Sequence, residues 1–462
     1  MLDESLVREV LRAALASGGR FAEIFAEEKR STQIRLDDRR IEDLSVGIDR
    51  GAGLRVIAGD TTAYAYSNRL DRGSLVEAAE AAAAGARDGG EDVRLVDLRR
   101  VDPDVVHPAR EPAEGVPAER KVEWLREADE AARSHGPEVR QVVVGYGDTV
   151  QRMLVAGSEG SWVEEERHRV RLMTHVVAAR DDVVQTGFDG PAGLGGTELL
   201  EAHPPQVVGA EAARMAVTML DGIPAPAGEM PVVLGPAGGG VLFHEACGHG
   251  LEADTVGKDA SVYRGKLGER LGSSLVTGVD DSTLPGVWGS FSFDDEGTPA
   301  ARTVLFEDGA LVGYLYDRFW SRKGETEPTA NGRRQSYAHL PIPRMTNTSI
   351  VPREGDPDDI VADTKRGVYA KVLGGGQVNP ATGDFVFGIS EGYLIEDGKI
   401  TRPVRGANLI GNGTAILHAV DAVAGDFDAR PGTCGKDGQG VPVSTGSPTL
   451  RIANMTVGGT GG

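Results

Sequence analysis

The sequence predicts an α+β fold: helices packed on antiparallel sheets in its first half, then a β-rich C-terminal domain carrying a metal-binding helix. Three observations carry this. A helix, strands, helix order occurs twice before residue 222, and the composition shifts to Gly, Thr, Asn and short strands from about residue 228. The chain is also rich in turns yet globular, with 64 glycines, 24 prolines and 5% aromatics among 462 residues that are 40% apolar.

The elements follow in order. "MLDESLVREVLRAALASGG" has amphipathic helical spacing with acids in its first turn, and lacks the basic start and apolar block of an export signal. Period-2 stretches such as "TQIRL" and "GLRVIA", separated by Asp and Gly turns, predict a meander. The alanine-dense "SLVEAAEAAAAGA" predicts the closing helix of a first subdomain, residues 1–96. A Pro-rich linker follows over 97–117. The second subdomain, 118–227, repeats the order with helix "ERKVEWLREADEAARS", strands over 139–187 and helix "QVVGAEAARMAVTMLDG". The two units share a layout rather than residues, as a structural duplication would. Residues 228–462 are read as the third region, the β-rich domain in which the candidate catalytic site is expected.

Charge and cysteine content narrow the function. A net charge of −21 repels phosphate backbones and anionic lipid, and the arginines of "DDRRIED" and "DLRRVD" are interleaved with acids, so neither nucleic acid nor membrane is expected as partner. No uncharged apolar run reaches the ~18 residues of a membrane span. Two cysteines, Cys247 and Cys434, suit a reducing compartment, and a cytoplasmic location is expected.

"FHEACGHGLEAD", residues 243–254, carries the chemistry. His244 and His249 lie five apart, with Glu245 directly after the first. In a regular α-helix positions five apart diverge by about 140°, so the two imidazoles could not share an ion. One extra residue absorbed as a π-bulge, eased by Gly248, would return His249 to the face of His244. Glu245 would then stand beside the ion as a general base. A catalytic zinc needs a third protein ligand. Glu252, Asp254, His339 and Cys434 are the candidates, and Cys434 is favoured because its Gly-rich loop, "GTCGKDGQG", lets a thiolate approach closely. Cys247 reads as a small packing residue.

These motifs resemble the TldD/PmbA family of zinc peptidases, specifically its catalytic TldD branch. The resemblance rests on "HEACGHGLEAD", "FDDEGTPAARTVLFEDGALVGYLYD", "NGRRQSYAHLPIPRMTNT", "GGGQVNPATGDFVFGISEGYLIEDGKI", "GANLIGNG", "CGKDGQG" and the final "MTVGG". It implies zinc held by His244, His249 and Cys434, with Glu245 as the base. It also implies a dimer, with a PmbA/TldE-like sister subunit or a second copy, enclosing a chamber for unfolded peptide. Within "NGRRQSYAHLP", Arg333, Arg334, Tyr337 and His339 are candidates to stabilise an oxyanion, with Tyr337 and His339 preferred. Asp294 or Asp295 of "DDEGTP" is expected to accept from a ligand histidine. The glycine triples 238–240 and 374–376 lack the Lys-Ser/Thr of a phosphate loop and read as close backbone packing or a strand edge open to substrate.

The expected function is hydrolysis of peptide bonds in unfolded peptides by metal-activated water, the peptide binding as an added strand. The rivals are a cysteine hydrolase pairing Cys434 with His339 or His249, and a non-enzymatic peptide-binding regulator.

Overall fold

The computed structural model describes residues 1–86, 95–379 and 381–459. Its first half is built from long hairpins. Phe21–Asp37 pairs antiparallel with Arg40–Ala58, and Asp38 and Arg39, both left-handed at φ 44° and 71°, form the two-residue turn whose geometry suits hairpin twist. Thr61–Ser67 extends this unit on one side. The second unit consists of Val139–Gly157, Ser161–Arg180 and Val183–Asp189. The two units do not form separate sheets. Phe21–Asp37 pairs with Val139–Gly157 from Glu23 opposite Gly157 to Asp37 opposite Val143, so one eight-stranded sheet runs through both. Each unit alone would expose a long, unpaired edge, and joining them satisfies both.

Helices Glu4–Leu15 and Arg72–Gly85 open on Asp3 and Asp71, whose carboxylates accept the amides of Leu6 and Ser74. They bury Val7, Leu11 and Leu75 against Ile24, Leu54 and Val56 of the first unit. Ala118–Arg133 and Pro205–Leu220 cover the second unit through Trp124, Leu125, Val208 and Ala212 on Val142, Val144 and Leu172. Gly209 permits their close approach: a Cβ there would stand 2.0 Å from the Ala128 carbonyl oxygen. The Pro-rich segment between the units contains the short strand Arg99–Arg100, paired parallel to Ser161 and Trp162.

Among the described residues the C-terminal half holds the small two-stranded pair Gly332–Arg333 with Ile342–Pro343 and two large sheets. In one, Gly228–Leu234, Arg366–Val378, Asp384–Glu396, Asn408–Asn412 and Leu450–Gly458 pair in a closed ring. The other has six strands, ending with Gln439–Ser447 and then the edge strand Asp428–Lys436. The helical segment after Gly228–Leu234 packs between the two sheets, placing Phe243, Cys247 and Leu251 in the main core. The glycine triple 238–240 acts as close packing here, since a Cβ on Gly240 would meet the Gly446 amide nitrogen at 2.4 Å.

A buried ionic seam joins the halves. Glu23 and Arg55 of the N-terminal sheet, each 1% exposed, pair at 2.8 Å, and Arg55 continues to Glu296 at 2.5 Å. Arg334 reaches Glu23 at 2.7 Å, and Arg167 reaches Asp295 at 2.8 Å.

Candidate metal centre

The strand Gly228–Leu234 ends in a turn at Ala237, where φ is 71°, and the chain enters the helix Gly238–Phe243. From His244 to Gly248 the helix is a π turn, after which α-helical geometry resumes at His249. The i→i+5 bonding of that turn absorbs the extra residue. The two imidazoles consequently face one another, with ring centroids 5.3 Å apart at 84°.

Cys434 comes from the edge strand Asp428–Lys436, and its Sγ lies 3.4 Å from His249 Nε2. One ligating atom from each of His244, His249 and Cys434 falls within 4.8 Å of the others. The two cysteines differ sharply in character. Cys247 is fully buried, and burial pushes its thiol up to about 12, the behaviour of an inert packing residue. Burial opposes ionisation of Cys434 too, but hydrogen bonds from His244 and His249 outweigh it and bring the thiol down to about 5. A thiolate is the form that ligates metal.

Glu252 is fully buried and orients the second histidine, its Oε2 standing 3.1 Å from His249 Nδ1. Burial works against the Glu252 carboxylate, yet Lys436 and His249 hold it down to about 2. Lys436 lies 3.0 Å from Glu252 and 2.5 Å from Asp254, so both acidic alternatives to Cys434 are engaged by the same ammonium. Cys434 and Lys436 sit two apart on one strand, hence on one face, and the same strand delivers thiolate and counter-charge. Sequence reasoning missed Lys436, although this alternation was the signal for it.

Glu245 is on the rim, its side chain 30% exposed and its Oε2 3.9 Å from His249 Nε2. It lines a cleft of about 470 Å³ shared with His244, His249 and Cys434, and also a neighbouring cavity bordered by Gln377 and Lys436. Leu373 and Lys371 line this cleft together with residues of the edge strand.

The other expected residues lie elsewhere. The Tyr337 hydroxyl bonds Asp49 at 3.1 Å, and its ring packs with Phe25, Met153 and Phe293 against the N-terminal sheet. His339 Nδ1 bonds Ser336 Oγ at 2.9 Å, and neither Tyr337 nor His339 lines the cleft. Arg333 donates to the Met345 and Pro442 carbonyls, while Arg334 donates to Glu23 and the Asp295 carbonyl. Asp294 accepts the amides of Glu296, Thr298 and Gly332, and Asp295 takes Arg167 and the Arg334 amide. The acceptor role expected of these aspartates falls to Glu252. The cationic side chains that border the cleft are Lys371 and Arg430.

The chain is 40% identical over 448 residues to a metalloprotease TldD homolog of Haemophilus influenzae, covering 95% of this chain and 93% of that protein. A metalloprotease of Methanothermobacter thermautotrophicus is 36% identical over 441 residues, covering 95% and 96%. Among solved structures, TldE from Thermococcus kodakarensis superposes with a TM-score of 0.77 at 21% identity, covering 98% of this chain and all of that one. That likeness speaks to the fold alone. Models of the PmbA/TldA metallopeptidase domain 1, central domain and C-terminal domain match residues 22–86, 111–220 and 227–459. The chain therefore belongs to the PmbA/TldD family of metallopeptidases.

Proposed function

We propose that this protein is a zinc-dependent cytoplasmic peptidase that hydrolyses peptide bonds in extended, unfolded chains. The observation carrying the proposal is the convergence of His244, His249 and Cys434 beside a partly exposed Glu245 on an open cleft. The residues fit a zinc ion. His244 Nδ1 is buried without a hydrogen-bond partner, and two imidazoles with one thiolate form a donor set that leaves a position free for substrate or water. When bound, the ion supplies Lewis-acid polarisation and acidifies water.

The protein's own groups do the rest. Glu245 accepts the proton of the attacking water and passes it to the leaving amine, so the acid and base are one carboxyl group used twice. Glu252 fixes the His249 ring through Nδ1. Among the described residues, the edge strand Asp428–Lys436 pairs with a strand on one side only, Gln439–Ser447, which leaves its outer edge open to receive a peptide as an added strand. Main-chain pairing accepts many sequences, as unfolded substrates require. A dimeric partner, either a PmbA/TldE-like sister subunit or a second copy, is part of this reading. It is supported by Leu44, Val46 and Ile48, which alternate along one projecting strand face at 46%, 64% and 59% exposure.

Metal analysis of purified protein and a Cys434→Ser variant tests the proposal. About one zinc per chain is expected in the wild type and a large loss in the variant; undiminished stoichiometry would remove Cys434 from the ligand set. A second reading, a cysteine hydrolase, draws on the lowered Cys434 thiol 3.4 Å from His249. It predicts peptide cleavage that survives chelation and is abolished by alkylation of metal-free protein, the reverse of the outcome expected here.

A further inference from the structure

Along Ser161–Arg180, Arg167, Arg169 and Arg171 are spaced two apart, so all three leave the same face of the N-terminal sheet. That face looks toward the C-terminal half. Arg169 Nε and Nη2 donate to the Trp288 and Ser290 carbonyls at 3.3 and 3.2 Å. Between this stripe and the segment Arg333–Gln335 lies a cavity of about 190 Å³.

The charges around it do not balance. Six basic side chains line the cavity, the stripe with Lys29, Arg333 and Arg334, against Asp148 and Asp295. Both acids are already engaged, Asp148 by Lys121 at 2.6 Å and Asp295 by Arg167, while Arg334 is matched by Glu23. Arg169 has carbonyls and the Trp288 ring, Arg333 has the Met345 and Pro442 carbonyls, and Arg171 donates to the Met173 sulfur. Among the described residues, none of these three guanidinium groups has a carboxylate within salt-bridge reach. Arg169 and Arg333 are only 7% and 3% exposed.

A buried guanidinium without a counter-charge is strongly unfavourable and does not escape by deprotonating. Burial and neighbouring arginines accordingly depress the proton affinity of both Arg169 and Arg333. A chain with 70 acidic residues could readily have placed one here. We propose that this cavity binds a small, multiply charged oxyanion, of the class of inorganic phosphate or a dicarboxylate, in the guanidinium forks of Arg169, Arg171 and Arg333. Planar forks match such oxygens bidentately.

The site backs onto the metal cleft without being part of it. Gly440 and Pro442 line the anion cavity, while their register partners Gly435 and Thr433 line the cleft with Cys434. A bound anion would tie the N-terminal sheet to the hairpin that supplies the thiolate.

Thermal melting of the full-length protein in phosphate or succinate, against chloride at equal ionic strength, reads occupancy. Millimolar phosphate or succinate is expected to raise Tm by about 2 °C or more over chloride. The anion acting at lower concentration identifies the preferred chemistry. Arg171→Gln, at a half-buried position, is expected to abolish the rise. Arg169→Met is expected to abolish it too while holding or raising Tm in chloride, because it removes an unmatched buried charge. Identical melting in all three salts, or a rise that persists in both variants, overturns the site. Should Arg169→Met fail to fold, the Arg171→Gln titration decides.

Discussion

The ionic seam and the ligand cluster are both buried and polar, but they are completed differently. In the seam, Glu23 faces Arg55 and Arg334, and Asp295 faces Arg167, all inside the protein. In the cluster, His244 Nδ1 has no partner and the Cys434 sulfur points at His249. Opposite charges paired from within hold two halves together, whereas three metal-ligating atoms facing one another form a set that an ion from outside would complete. The anion cavity belongs with the second kind, although it lies within a few residues of the first.

Breaking this contrast takes substitutions that act on one side only. The largest effect is expected for Glu245→Gln: peptide hydrolysis falls by about 10²–10⁴-fold while bound metal and melting temperature hold, because in the proposed mechanism Glu245 handles the proton and, partly exposed at the rim, carries little of the fold. Activity assay beside metal analysis checks it. Arg55→Met should do the reverse, lowering unfolding free energy by about 3–5 kcal/mol in a denaturant titration, since Glu296 is left buried without its ion-pair partner and Glu23 with Arg334 alone. A loss below about 1 kcal/mol would show that the seam is not a fastener.

Glu252→Gln lies between the two. It keeps a hydrogen-bond acceptor for His249 but removes the charge, and metal affinity measured by competition with a chelator should fall by about 10–100-fold. The smallest effect is a pH dependence of stability. Burial works against the carboxylates of Glu23 and Asp295, but Arg55 and Arg167 respectively lead the charges that hold both below their ordinary values of 4.5 and 3.8. Their contribution is complete above about pH 4.5 and drains away as pH falls further, so acid melting should steepen below that point. Arg55→Met should flatten this slope.

How much of this was legible in the sequence depends on the range of the interaction. The π turn followed from five-residue spacing once both histidines were taken to share one ion, because helix geometry is local. The third proposed ligand did not: Cys434 lies 185 residues from His249, spacing left four candidates, and Cys434 was favoured for the Gly-rich loop around it, a choice the family resemblance also implies. Glu252 was weighed as a ligand, and its service to His249 became visible only with Lys436 across from it. Tyr337 and His339 were chosen for their chemistry, and the fold turns Tyr337 onto the N-terminal sheet. Two repeated units were readable from period-2 patterns, but not that they would share one sheet, since edge pairing carries no local signal.

The separation of the ligands along the chain has a bearing on synthesis. Ribosomes deliver both histidines and the glutamate well before Cys434 exists, and the thiolate reaches them only once the hairpin Asp428–Ser447 has docked. A nascent molecule thus carries an incomplete cluster, and under the proposed function cleavage waits until folding has finished.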